Sequence, residues 1–204
     1  MKMPVLTSII LFIIALFYFI KKSSREADNA LENFRKRESE ADNTRKKPLD
    51  DLNYITIPDE IFRMNRDPDD NDCQSAVKVF DSLKDQKIVN LTGISNTDLK
   101  LAYGAPNLPI LAQYDQNYTV LARSLDRYAS FLTKSGNTDD AVKVLEFAVE
   151  TGSDISSTYK QLVALYQSNG IKDKIPSLKE KASSLNSVMS PSILRYLDSV
   201  SDDD

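Results

Sequence analysis

Three hydrophobic patterns follow one another along this chain, and each predicts a different element. From Met3 to Ile20 there is no charge at all, and Pro4 at the edge is the one interruption. The run from Val5 predicts a helix of roughly 24 Å, short for a hydrocarbon layer of about 30 Å. Lys2, Lys21 and Lys22, with Tyr18 near the interface, snorkel to cover the difference. No small-x-small site follows Phe19-Ile20-Lys21-Lys22, so residues 1–22 read as an uncleaved transmembrane anchor rather than a removed leader. Residues 23–47 then show only a thin apolar stripe (Ala27, Ala30, Leu31, Phe34, Ala41) among charges paired as Glu32 and Lys36 are. That pattern predicts a charged, solvated helix leaving the membrane, with Pro48 closing the segment.

Beyond it, Leu49–Pro58 contains Tyr54-Ile55-Thr56-Ile57, which predicts a short extended stretch packed along its own domain, within a linker spanning 48–72. Asn71 or Asp72 is expected to cap a helix over Cys73–Lys84, and Asn96-Thr97 a second one that Gly104 ends. Leu111, Tyr114, Tyr118, Leu121, Leu125, Tyr128 and Leu132 recur at threes and fours and predict one long helix from Leu108 to Lys134. Pro109 falls in its first turn, where a missing N–H costs nothing. The tyrosines belong to the core edge.

A self-match at one fixed interval covers the C-terminal part: Gly136 recurs as Gly170 and Ala148 as Ala182. With these aligned, residues 122–155 and 156–189 resemble the tetratricopeptide repeat, an antiparallel helix pair of that length. The first copy supplies Leu125, Tyr128, Ala129, Leu132, Gly136, Ala141 and Ala148 at the positions that family prefers. The second supplies Tyr159, Leu162, Val163, Tyr166, Gly170, Ile175 and Ala182. Ile175 and Pro176 depart from the pattern and delay the second helix of that copy. Asn137-Thr138-Asp139 is expected to cap the second helix of the first copy, and a helix over 191–200 to cap the stack before an acidic tail at 201–204. Ala76–Phe80 echoes Ala141–Leu145, so upstream helices are expected to complete the bundle, making 73–200 one helical domain.

The resemblance implies a concave groove lined by the first helix of each pair. Carried over, its positions are Arg123, Asp126, Ser130, Thr133 and Lys134, then Ser157, Lys160, Ala164, Gln167 and Ser168. Ser130 and Ala164 stand where carboxylate-clamping members of the family carry Asn, so chaperone-tail capture is not implied. The layout also resembles uncharacterised single-pass membrane proteins of Gram-positive anaerobic bacteria, through Leu52-Asn-Tyr-Ile-Thr-Ile-Pro58 beside a charged helix and a repeat domain.

Composition narrows the chemistry. Histidine is absent from all 204 residues and Cys73 is the single cysteine. Imidazole bases, Cys-His pairs, intramolecular disulfides and Cys-cluster metal sites are therefore excluded. Cys73 itself is expected to be a buried small residue. The Asp67–Asp72 cluster fails as a calcium loop, because Asp72 and Lys78 stand where Gly and Glu are needed. No phosphate loop or nucleophile elbow occurs, so no catalytic residue, cofactor, metal or small-molecule substrate is implied. Two sequons, Asn90-Leu-Thr92 and Asn117-Tyr-Thr119, matter only if the domain is extracellular in a eukaryote.

Charge sets orientation. Residues 21–47 hold nine Lys or Arg against six acids, a net of +3; Lys2 adds +1, so residues 48–204 carry −8 to reach the overall −4. The basic flank after the apolar run predicts a cytoplasmic C-terminal side, in a bacterial plasma membrane, with the short N-terminus outside. The acidic remainder argues against nucleic acid. The expectation is thus an all-α protein: an N-terminal transmembrane helix, a short extended segment and a tetratricopeptide-like α-solenoid fragment. Its expected work is non-catalytic, as a membrane-anchored adaptor for protein partners, with the bilayer held through residues 3–20. The alternative is a small structural subunit of a membrane complex, contacting partners through the membrane helix or the 49–58 segment.

Overall fold

After Pro4, no proline occurs before Pro48 and no glycine before Gly93, so nothing local breaks a helix once it starts. The computed structural model of the chain, which describes residues 3–201, accordingly runs one helix, α1, from Met3 to Asp42. Within it the side chains at 3–7, 9, 10, 14 and 15 lie outside the described residues, as do Lys2 and the tail at 202–204. Much of the expected anchor therefore falls on them. Among the described residues, no helix is long and apolar enough to cross a membrane. The apolar side chains that are described, Leu11 to Ile13 and Leu16 to Ile20, are all exposed, Phe12 and Phe17 at 68%.

The helix stops at Asp42, well short of Pro48. Asn43 Nδ2 donates to the Ser39 carbonyl at 2.7 Å and Thr44 Oγ1 to that of Glu40 at 2.9 Å, closing the last turn with side chains. Eight more α-helices follow among the described residues: α2 (Asp59–Arg63), α3 (Asn71–Leu83), α4 (Asn96–Tyr103), α5 (Leu108–Lys134), α6 (Thr138–Glu150), α7 (Ser156–Ser168), α8 (Ile175–Ser183) and α9 (Ser190–Ser201). The described chain is all-helical apart from an isolated antiparallel bridge between Tyr54 and Val89.

Two units form. One comprises the chain through Lys47 together with Asn96–Asn107. In it α4 lies against the C-terminal end of α1. Lys100 is bonded to Glu38 and, at 2.6 Å, to Asp42, Arg37 is paired with Asp98, and Thr97 donates to Glu38 at 2.6 Å. The Lys100 and Thr97 bonds hold the Glu38 carboxyl below its ordinary range, against the opposing pull of desolvation. Those to Asp42 and Glu38 hold the Lys100 ammonium above its own. Ala41 and Leu99 are buried, so the end of α1 is a docking surface while Leu31 and Phe34 remain exposed. Sequence pattern places α4 in the helical domain over 73–200; its charges match α1 instead.

The other unit comprises Pro48–Ser95 and everything from Leu108. Its centre is α5, whose predicted stripe is buried throughout, with α3 and α6 packed against it. Ala76, Val77 and Phe80 of α3 and Ala141, Val142 and Leu145 of α6 are all buried, as their echo in sequence suggests. Phe80 meets Tyr128 edge-on at 5.5 Å, and the Tyr128 hydroxyl donates to the Asn65 carbonyl at 2.7 Å. The 49–58 segment packs in cis: Ile55 N–H donates to the Ile88 carbonyl at 2.9 Å, and Leu52 and Ile57 are buried. The cap of α3 is Asp70, which accepts from Cys73 N–H at 2.8 Å, rather than Asn71 or Asp72. Asn137 occupies the cap position of α6 but makes no side-chain cap bond.

Gly136 and Gly170 both take left-handed backbone, φ +80° and +71°, as the turn between two helices requires. A second marker keeps the same interval: α7 begins at Ser156 and α9 at Ser190, one repeat length on. The stripe Tyr159, Leu162, Val163, Tyr166 of α7 returns as Ile193, Tyr196, Leu197, Val200 of α9. In α8 the departure is also visible. A 3-10 turn, Lys172–Lys174, precedes it and Pro176 sits in its first turn, so it has 9 residues against the 13 of α6.

Candidate functional site

Helix α7 packs against both α5 and α9, and the groove expected from the sequence falls on the face that runs along these helices. All ten groove positions lie on α5 and α7, but they divide by what their polar atoms do. Asp126 accepts three bonds from α7: Ser157 Oγ at 2.9 Å, Thr158 Oγ1 at 3.0 Å and Gln161 Nε2 at 3.0 Å. Ser130 Oγ donates to Gln161 Oε1 at 2.8 Å, which satisfies both ends of that amide. This network fixes α7 on α5 and occupies Asp126, Ser130 and Ser157. Thr133 and Ser168 turn their hydroxyls back to the Ala129 and Leu165 carbonyls, at 2.9 and 3.0 Å. Arg123, Lys134, Lys160, Ala164 and Gln167 are exposed.

Lys160 leads to the part of this face that sequence reasoning missed. Its ammonium lies 5.6 Å from the centroid of the Tyr196 ring on α9. Between the two helices is a cleft of about 370 Å³, lined by Ser156 and Lys160 of α7 and by Ser192, Ile193, Arg195, Tyr196 and Ser199 of α9. Ile193 is buried, while Arg195, Ser192 and Ser199 are exposed. Burial of part of the Tyr196 ring pushes its phenol above the ordinary value. Ser156 Oγ is buried and has no hydrogen-bond partner among the described residues. The helix expected over 191–200 as a cap is α9, and aligning Ser190 with Ser156 is the sequence signal that would have placed it beside α7 as a wall of this cleft.

A different polar cluster joins α6, α7 and the turn before α8. Glu146 of α6 accepts from Tyr166 Oη at 2.6 Å and Lys174 Nζ at 2.7 Å. Burial pushes its carboxyl up, but the bonds from Lys174 and Tyr166 together hold it below the usual range. These three groups satisfy one another, which makes the cluster a brace between α6, α7 and the start of α8.

The remaining candidate motifs are absorbed by the fold. Cys73 is fully buried, and desolvation pushes its thiol up. Asp67 accepts from Asp69 N–H at 2.9 Å and Asp70 caps α3, and among the described residues no cluster of acids or Cys is placed to hold a metal. Both sequon asparagines brace backbone: Asn90 Nδ2 donates to the Thr151 carbonyl at 2.9 Å and Asn117 Nδ2 to that of Lys87 at 2.9 Å. Compared with known proteins, the chain matches no protein-family model, no curated protein and no solved structure.

Proposed function

We propose that this chain is a non-catalytic adaptor: a tetratricopeptide-like helical domain that receives protein partners on its α5–α7–α9 face and is held to a membrane by α1. The observation that carries the reading is a shared interval, the same from Gly136 to Gly170 as from the start of α7 at Ser156 to that of α9 at Ser190. A stack that repeats in this way presents a row of first helices as a surface, and such surfaces bind. Exposed Arg123, Lys134, Lys160 and Gln167 are the groups on that face available to a partner.

Support for anchoring is the uncovered apolar side of α1. Leu11, Phe12, Phe17 and Phe19 are each about two-thirds exposed, and an apolar patch of that kind needs a cover. Lys21, Lys22 and Arg25 follow immediately and favour a cytoplasmic C-terminal side, in a bacterial plasma membrane. Confinement to a thin layer raises the effective concentration of both partners, so modest affinity on the face suffices. The second reading is a structural subunit of a membrane complex that contacts partners through α1 or through the 49–58 segment, whose Leu52 and Ile57 are buried while Asp50, Asp51, Asn53 and Thr56 are exposed.

Partner capture tests the face directly. Affinity purification from detergent-solubilised cells compares the wild type with Arg123→Glu plus Lys160→Glu. Loss of specific partners in the double variant is expected. Identical partner sets would remove this face from the proposal.

A further inference from the structure

The cleft between α7 and α9 has a chemistry unlike the rest of the acidic part of the chain. Residues 48–204 carry a net −8, yet among the described residues no carboxylate lines the cleft and two cations, Lys160 and Arg195, do. Two described acids of α5 and α9 have partners of their own. Asp126 accepts three bonds from α7, and Asp198 is paired with Lys179 at 2.6 Å. Arg195 makes no ion pair among the described residues, and Lys160 rests against a ring rather than an acid. Around the two cations stand the hydroxyls of Ser192 and Tyr196, while Ser199 Oγ is turned back to the Tyr196 carbonyl at 2.7 Å and Ser156 Oγ is buried without a partner among the described residues. Ile193 supplies an apolar floor.

Two positive charges and the neighbouring hydroxyls of Ser192 and Tyr196 complement a group that offers only acceptors and about two negative charges. A carboxylate has two oxygens and one charge. A phosphomonoester has three terminal oxygens and a charge of about −1.5 to −2 at neutral pH, which matches the donors and the charge together. The volume of the cleft, about 370 Å³, is at the small end for ligand sites, enough for one modified side chain and its aliphatic neighbour. We propose that this cleft receives a phosphorylated serine or threonine of a partner peptide, with Arg195 forking the phosphate, Lys160 opposite it, and the hydroxyls of Ser192 and Tyr196 donating from the wall. The proposal rests on the adaptor reading and adds the chemistry that its partner carries.

The test uses the full chain in maltoside micelles, followed by amide NMR during titration with an acetylated, amidated Ala-Leu-phosphoserine-Leu-Ala peptide. Parallel titrations use the Ser and Glu versions, and a further arm uses micelles doped with phosphatidylinositol 4-phosphate. Expected are shifts at Ser156, Lys160, Arg195 and Ser199, saturating with a dissociation constant on the order of 1 mM or tighter. The Ser peptide is expected to give none of these shifts. Arg195→Ala should weaken the phosphopeptide about tenfold, and Arg195→Lys should restore part of the loss. Equal affinity for the Glu peptide would overturn the phosphate assignment. A response to the lipid but not the peptide would overturn the protein source. Silence at these amides up to roughly 5 mM would overturn the site. In that last case, loss of partner capture by Arg123→Glu plus Lys160→Glu would still leave the adaptor reading standing.

Discussion

At the scale of single residues, Asp126 has the most to lose. Its carboxylate holds Ser157, Thr158 and Gln161, and Thr158 is fully buried, so removing the acceptor strands a hydroxyl that water cannot reach. Asp126→Ala should cost about 2–3 kcal/mol, read as a lower urea midpoint at unchanged slope. Arg123→Ala, one turn earlier on the exposed side, should stay within about 0.5 kcal/mol of the wild type. A wild-type midpoint for the Asp126 variant would show that the network is decorative. Sequence alone places both residues in the same groove, because helical spacing tells which face a residue occupies. It does not tell which partner waits there: Gln161 belongs to the next pair and is brought to Asp126 only by two turns and α6.

At the scale of elements, the glycines separate conformation from contact. A Cβ at Gly136 would meet nothing within 4 Å, so Gly136→Ala bears only the strain of a φ of +80°, about 1–2 kcal/mol. A Cβ at Gly93, with nearly the same φ of +79°, would stand 1.9 Å from the Asn186 carbonyl oxygen, and the loop must move as well. Thermal denaturation should therefore rank Gly93→Ala well below Gly136→Ala, and equal midpoints would refute the close approach. Only the first of these was legible. Gly136 ends a periodic helix, whereas the meeting of Gly93 with Asn186 joins two loops that share no pattern. The same limit explains α2, a helix of 5 residues directly after Pro58 whose Ile61 is buried, since so short a helix shows no period. It also explains why Asp70, not Asn71, caps α3: three consecutive capping residues differ only in which one the turn at Asp67 aims at Cys73 N–H.

At the scale of the whole molecule, removal of residues 1–22 tests the anchor and the alternative function together. Every described side chain from Ser8 to Lys22 is exposed, so the truncated chain should keep its unfolding midpoint within about 2–3 °C and leave the membrane fraction. Partner capture by the truncated chain would favour the α5–α7–α9 face, and its loss would favour contact through α1. A fall of more than about 5 °C would mean that the segment supports the fold. The sequence alone determined that the chain is helical, where the long helix α5 runs and at what interval Gly136 and Gly170 recur, because those properties are set by neighbours three or four apart or by one fixed spacing. Only the tertiary structure decided that α4 joins α1 through Lys100, that Asp126 and Ser130 are committed to α7, and that α9 closes a cationic cleft over Ser156. Those outcomes depend on which polar groups meet across distant segments, and a hydrogen bond or ion pair leaves no periodic trace in the chain that forms it.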